Sequence, residues 1–294
     1  MSDISLPPVS QVEILSIMDN TLDVLMASTS IAQRAPLLRD KFSRPQLRAE
    51  HGVSMLITVQ SEGRKDSFLF DAGTSVEVTL HNMDVLEVRP NELHAVVLSH
   101  GHILHPDAFL KRKNVLPDGH EVDLPPPNRR DIEAEGISVI EDKGPTLLID
   151  GRVLVTGEIP RTTGFEKGFP PGRAEINGQW QPDPWIHDDQ AIVINVRDKG
   201  LVVLTGCGHA GLINTLQHAS NATGIKDIYA VMGGFHLTGT IFEPVITPTI
   251  QALKEIGPEI IVPQHCTGWR ATFEITRDFP EAFVPNSVGT RFTL

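Results

Sequence analysis

Short aliphatic runs that stop at a histidine are the feature that most restricts what this chain can fold into. The run at 93–98 leads directly into Ser99-His100-Gly101-His102-Ile103-Leu104-His105. The run at 201–204 leads into Thr205-Gly206-Cys207-Gly208-His209. Those at 228–232 and 260–262 lead into Gly233-Gly234-Phe235-His236 and Pro263-Gln264-His265-Cys266. Short apolar runs bounded by small, turn-forming residues read as buried strands. In a layered sheet protein, strand ends gather on one edge, where sites are built. Such a chain is expected to form sheets that bring imidazoles together.

The remaining pattern fits sheets interleaved with helices. Residues 12–18 read as a strand ending at Asp19, and 53–59 with 68–70 as a pair across Ser61-Glu62-Gly63. The second of that pair ends at Asp71-Ala72-Gly73, and Ser75 is placed to cap a helix to about residue 86 carrying Val76, Leu80, Met83 and Leu86. Short strands are expected at 137–140, 146–149 and 153–155, with a loop over 116–130. A hairpin at 191–204 turns at Asp198-Lys199-Gly200. Helices are expected over about 210–220 and 247–255, then a short helix and a last strand near 288–292. Residues 161–188 hold four Gly, four Pro and two Trp, and read as irregular. A loop of that length is expected to be a functional lid or an assembly arm, so a homo-oligomer through Trp180 and Trp185 is possible. By length, the 294 residues, 40% hydrophobic, make one large domain or two small ones, and a single domain over 1–294 is the expectation carried forward. Layered sheets covered by helices fit better than a parallel Rossmann sheet, since no G-x-G-x-x-G and no P-loop is present.

Charge and composition exclude several roles. The net charge is −12, and the longest basic run is Lys111-Arg112-Lys113, so neither nucleic acid nor an anionic membrane is an expected partner. No apolar stretch approaches the ~18 residues of a membrane span. The opening MSDISLPPVS lacks a basic segment followed by an apolar one, and two cysteines make no disulfide scaffold. A cytoplasmic protein acting on a small molecule is the expectation.

The 12 histidines outnumber the three Trp and one Tyr together. His100 and His102, two apart on extended backbone, point the same way, and imidazole is the commonest metal ligand. Three histidines with an open fourth position make a catalytic zinc site. His51, His81, His94, His120, His187 and His218 read as ordinary polar residues, Cys207 and Cys266 as small buried thiols. His236 is open to a structural or a functional reading.

The segment Ser99 to His105 resembles the H-x-H-x-D-H signature of the metallo-β-lactamase superfamily, and Leu69-Phe70-Asp71-Ala72-Gly73 resembles its first motif. Gly157-Glu158-Ile159-Pro160-Arg161 and the motifs at His209, His236 and His265 resemble the 7,8-dihydropterin-6-yl-methyl-4-(β-D-ribofuranosyl)aminobenzene 5′-phosphate synthase-like branch. The implied fold is α/β, an αββα sandwich with the metal site on one edge of two facing sheets. By position, His100, His102 and His209 correspond to the first metal site, and His105 and His265 to the second. Asp71 would orient the histidine loop by accepting hydrogen bonds. Asp19, His105 and His236 are the candidates for catalytic groups.

The chain departs from the family at Leu104, where the signature has its aspartate. The other acidic ligand of the superfamily would fall near Gly233 or Gly234. One bound ion is therefore expected rather than two. Three neutral imidazoles leave a zinc ion's charge undiminished, which brings bound water to a pKa near ~7. Iron, manganese or nickel would also suit these ligands. The expected activity is that of a metal-dependent hydrolase using the resulting hydroxide on an ester, lactone, amide or phosphoester. The alternatives are a ligand-binding or regulatory protein with a partly lost metal site, and a pterin-related synthase.

Overall fold

Side-chain alternation along the strands decides the layering. On the strand at 191–196, Ile192 and Ile194 enter one core while Ala191 and Val193 enter another. Such a strand, buried on both faces, is a central layer with a partner on each side. The computed structural model describes residues 4–36, 45–99, 106–116, 118–124, 126, 129–134, 139 and 141–294.

In chain order the elements begin with β1 (Gln11–Met18), β2 (Ala32–Gln33), β3 (Ser54–Ser61), β4 (Arg64–Phe70), α1 (Val76–Val85) and β5 (Val96–Val97). Next come β6 (Arg112–Val115), β7 (Glu121–Leu124), α2 (Arg129–Ala134), β8 (Thr146–Leu148), β9 (Val153–Val155), β10 (Gly172–Ile176) and β11 (Gln179–Pro182). The chain closes with β12 (Ala191–Val196), β13 (Gly200–Thr205), α3 (Leu212–Thr223), β14 (Ile228–Gly234), α4 (Ile246–Ile256), β15 (Ile260–Gln264), α5 (Trp269–Asp278) and β16 (Arg291–Thr293). One six-stranded sheet runs β2-β16-β1-β3-β4-β5, and a second runs β15-β14-β13-β12-β9-β8. A four-stranded sheet, β11-β10-β6-β7, stands apart from both.

The two large sheets share one core, with Ile14, Ile57, Phe68 and Phe70 from the first against Ile192, Leu204 and Met232 from the second. The outer face of the second sheet, through Val193, Val203 and Val231, packs on Leu216 of α3, Leu253 of α4 and Ile275 of α5. The outer face of the first, through Leu15, Ile17 and Leu69, packs on Met83 of α1. The result is the αββα sandwich.

This topology also places the chemistry. β13, β14 and β15 are parallel neighbours, so their C-terminal ends line up on one edge. β4 and β5 are parallel, and β1 runs the same way because both it and β4 are antiparallel to β3. The residues after these strands, Asp19, Asp71, Ser99, Cys207, His236 and His265, therefore leave from strand ends of matching direction within each sheet.

Several sequence expectations need correction. The loop expected over 116–130 contains β7, which pairs with β6 from Arg112↔Leu124 to Val115↔Glu121. The run at 93–98 yields only the two-residue β5, since it pairs with β4 only at Leu69↔Val96 and Phe70↔Val97. Residues 161–188 are not wholly irregular, because β10 and β11 form a hairpin that adds to β6. The last strand begins at Arg291, after a turn in which Gly289 N–H donates to the Ser16 carbonyl. Helix α1 is capped by Ser75, but Val76 and Leu80 are exposed. Its buried anchor is Asn82, whose amide donates to the Ile17 and Arg48 carbonyls at 2.8 Å each. The strand expected at 137–140 lies almost wholly outside the described residues. No helix among the described residues is long and apolar enough to cross a membrane.

Candidate metal centre

His100, His102, Leu104 and His105 lie outside the described residues, but the loop that leads into them is well fixed at its root. Asp71, at the end of β4, takes left-handed backbone (φ 59°) and accepts from Ser99 N–H at 2.6 Å and Ser99 Oγ at 2.7 Å. The Ser99 and Leu98 carbonyls in turn accept from Gln190 N–H at 2.8 Å and Gln190 Nε2 at 3.0 Å. Burial, opposed by the two Ser99 bonds, pushes the Asp71 carboxyl up to about 7. Gly206 passes close against this pair, and a Cβ there would collide with Ser99 Oγ and Asp71 Oδ2. Glycine after β13 is thus a packing requirement of the Asp71–Ser99 clamp.

His209, His236 and His265 come together on the adjoining edge. The His209 and His236 ring centroids are 4.4 Å apart. Asp189 stands with Oδ1 3.8 Å from His209 Nδ1, and its Oδ2 accepts Ala210 N–H at 2.7 Å. At that distance the carboxylate makes no hydrogen bond to the ring; it holds the turn after β13 through the backbone at His209 and Ala210. Burial holds the Asp189 carboxyl up at about 6, against the pull of Arg161. His236 sits in left-handed backbone (φ 46°), and its Nδ1 is buried with no hydrogen-bond partner among the described residues.

His265 also sits in left-handed backbone (φ 47°) and is held from below by Asp19. Asp19 Oδ1 accepts from His265 N–H and Asn20 N–H at 2.8 Å each, and Oδ2 accepts from Asn286 Nδ2 at 2.7 Å. Asp19 is 2% exposed, and burial raises its carboxyl above the ordinary range despite those bonds. His265 is pushed down by burial and by the neighbouring His51 and His236, so its ring is neutral at neutral pH. Neutral imidazole is the form that binds metal.

Both cysteines lie in the same group. Cys207 Sγ is 3.1 Å from His265 Nε2, and Cys266 Sγ is 3.0 Å from the Cys207 carbonyl oxygen. Cys207, Cys266 and His265 each offer a ligand atom, all within 4.8 Å of one another. Burial works against ionising Cys266, yet hydrogen bonds from Cys207 and His236 hold it well below the usual thiol range. The sequence reading took both as small buried thiols, and both are free, with Cys266 buried and Cys207 partly so. Each cysteine is adjacent to a candidate ligand or two residues from one. A Cβ on Gly234 would crowd Cys266 Sγ at 2.8 Å, so this glycine lets the sulfur approach β14.

The open cleft beside His209 and His236 has a volume of about 230 Å³. Phe169, from the segment 161–188, stacks on Phe242 with centroids 5.7 Å apart and meets both His209 and His236 edges at 5.3 Å. Phe165, Ile241 and Val245 complete an apolar wall. Neither Phe242 nor Asp189 was singled out from the sequence. An acidic pair, Asp188-Asp189, just before an apolar strand was the available cue for the second.

The donors present fit a divalent cation. The neutral His265 imidazole, the Cys266 thiol of lowered proton affinity, the Cys207 sulfur beside it, whose own proton is held more tightly, and a buried His236 nitrogen with no partner among the described residues make a set that suits zinc or another borderline ion.

No family model matches the chain. Among characterised relatives, it is 31% identical over 259 residues to the 7,8-dihydropterin-6-methyl-4-(β-D-ribofuranosyl)-aminobenzene-5′-phosphate synthase of Methanocaldococcus jannaschii, covering 80% of this chain and 87% of the relative. An uncharacterised protein of the same archaeon is 26% identical over 264 residues, covering 82% and 93%. Among solved structures, Tm1679, described as a metal-dependent hydrolase of the β-lactamase superfamily, superposes with a TM-score of 0.72 at 23% identity, over 96% of this chain and 98% of that one.

Proposed function

This chain belongs to the metallo-β-lactamase superfamily, in the branch of the dihydropterin-linked synthase, and from that premise we propose that it is a metal-dependent hydrolase of a small organic substrate. The observation that carries this reading is the convergence of His209, His236 and His265 on one sheet edge, beside the root of the loop bearing His100, His102 and His105. In this reading His100, His102 and His209 hold the first ion, and His265 with His105 belongs to the second position. A divalent ion bound there supplies Lewis acidity toward water and toward the substrate.

The chain's own residues do the positioning. Asp71 fixes Ser99, and through it the start of the histidine loop. Asp189 holds the backbone at His209 and Ala210, and Asp19 holds the His265 backbone. With its oxygens already accepting three hydrogen bonds, Asp19 acts here as a positioning residue. Phe169 and Phe242 form an apolar cover that favours a substrate with a planar or apolar body beside its reactive group. His236, exposed to this cleft, is placed to move a proton at the substrate.

A second reading is favoured by one observation. The 31% identical relative is a synthase. The same site would then catalyse a pterin-related condensation. Metal analysis of the purified protein, paired with a screen of chromogenic esters, lactones and phosphoesters, tests the hydrolase. Turnover that follows the metal content supports it. A fully metal-loaded protein inert toward every hydrolytic substrate, yet active in condensation, would transfer the assignment to the synthase.

A further inference from the structure

The superfamily pattern leaves the second metal position of this chain without its carboxylates, because Leu104, Gly233 and Gly234 stand where acidic ligands would. Two dications about 3.5–4 Å apart need anionic ligands to offset their repulsion. The described residues supply none from those positions. They do supply two sulfurs beside His265.

The tautomer of His265 can be read from its neighbours. Asn20 Nδ2 donates to the His265 carbonyl at 2.9 Å, and Asn20 Oδ1 accepts Gly52 N–H at 3.3 Å. These two bonds fix which end of the amide is oxygen. His265 Nδ1 lies 3.3 Å from that same oxygen, which can only accept, so Nδ1 carries the proton. Nε2 is left with a lone pair, and it is Nε2 that faces Cys207 Sγ at 3.1 Å. An imidazole whose far nitrogen is tied by a hydrogen bond, with its near nitrogen bare and aimed at a sulfur, is arranged as a metal ligand.

We propose that Cys207, Cys266 and His265 form a thiolate–imidazole site for a divalent cation, in which the two sulfurs replace the carboxylates missing at Leu104 and Gly233–Gly234. Their donor atoms lie within 4.8 Å of one another. An ion about 2.3 Å from each sulfur and 2.0–2.1 Å from the nitrogen bridges nearly that span, with a few tenths of an ångström of closure. Two thiolates neutralise the ion's charge, and one coordination position stays open. Sulfur ligands select zinc or ferrous iron over magnesium or calcium. The expectation of a weak second position rested on the lack of anionic ligands, and the thiols remove that reason.

The site stands on these three residues and not on the reaction catalysed. The test is cobalt(II) substitution of the full chain, read by absorption. The chain has only two cysteines, so a thiolate-to-cobalt charge-transfer band in the near ultraviolet has no other source. The wild type should show that band and bind two equivalents. Cys207→Ser and Cys266→Ser should each weaken it, and the double variant should lose it together with one equivalent of metal. His209→Ala should keep the band. A cobalt-loaded wild type without the band overturns the proposal, even if it binds one ion and turns over, in which case the enzyme reading stands alone. Should the serine variants fail to fold, thiol titration of the wild type decides. Both thiols should react at least tenfold more slowly with zinc bound than after its removal, and equal rates overturn the proposal.

Discussion

Glu166 links the segment over the cleft to the helix behind it, and its removal should be costly. Helix α3 starts after Gly211, which offers no side-chain cap. Glu166 supplies the cap from outside the helix: Oε1 accepts Ile213 N–H and Oε2 accepts Asn214 N–H, both at 2.8 Å. Asn214 answers by accepting Thr162 N–H at 2.8 Å and Thr163 N–H at 2.9 Å through Oδ1. Each bond to a charged acceptor contributes about 1.5–3 kcal/mol, and the positive end of the helix dipole adds a little. Burial offsets part of this, since it raises the Glu166 carboxyl above its ordinary value. Glu166→Ala should therefore cost about 2–4 kcal/mol, and Glu166→Gln, which keeps one acceptor, about half. For a chain of this size that is a fall in melting temperature of roughly 3–7 °C for the alanine variant. Circular dichroism melts of the three proteins measure it. The sign with pH follows from the raised carboxyl. The folded state holds that proton more tightly, so stability falls as pH rises from the ordinary glutamate value through the raised one, and Glu166→Gln flattens that slope. Phe169 lies three residues on, so the alanine variant should also raise KM while its metal content is unchanged. An alanine variant melting within about 1 °C of wild type would refute the capping argument.

Phe169→Ala removes the ring stacked on Phe242 and edged by the two histidines. It should raise KM about 2- to 12-fold, equivalent to about 0.5–1.5 kcal/mol of aromatic contact, in steady-state assays with little change in bound metal. Gly206→Ala should destabilise the fold by roughly 1–3 kcal/mol in denaturant melts, because its methyl meets Ser99 and Asp71. In metal-free protein, Asp71 held up at about 7 should make stability decline as pH rises from about 4 to 7, and Asp71→Asn should reduce that decline in urea titrations.

The layers were legible because their cause is local. The apolar run at 191–196, the turn at Asp198-Lys199-Gly200 and the apolar run that follows specify a hairpin without tertiary help, and the histidine-ended runs mark one edge of the sandwich. What escaped was set by distant partners. Helix α1 is held by the buried amide of Asn82 rather than by an apolar stripe, and no local pattern marks such an asparagine. β7 became a strand only because β6 offered it an edge. At the site, His209, His236 and His265 were visible from their motifs. Phe242 and Asp189 were not, since their roles come from Phe169 and His209 approaching across the fold. That Cys207 and Cys266 meet around one imidazole was set by the fold, since the chain separates them by 59 residues.

The central claim, that this chain works through a divalent ion held by the strand-end histidines, is tested most directly by metal analysis of the wild type beside the double variant His102→Ala/His209→Ala. Inductively coupled plasma mass spectrometry should find at least one tightly bound divalent ion per wild-type chain. The variant, still folded by circular dichroism, should lose one equivalent together with all turnover. A folded variant that keeps the full wild-type metal content, or a wild type that turns over substrate after complete removal of its metal, would contradict the account.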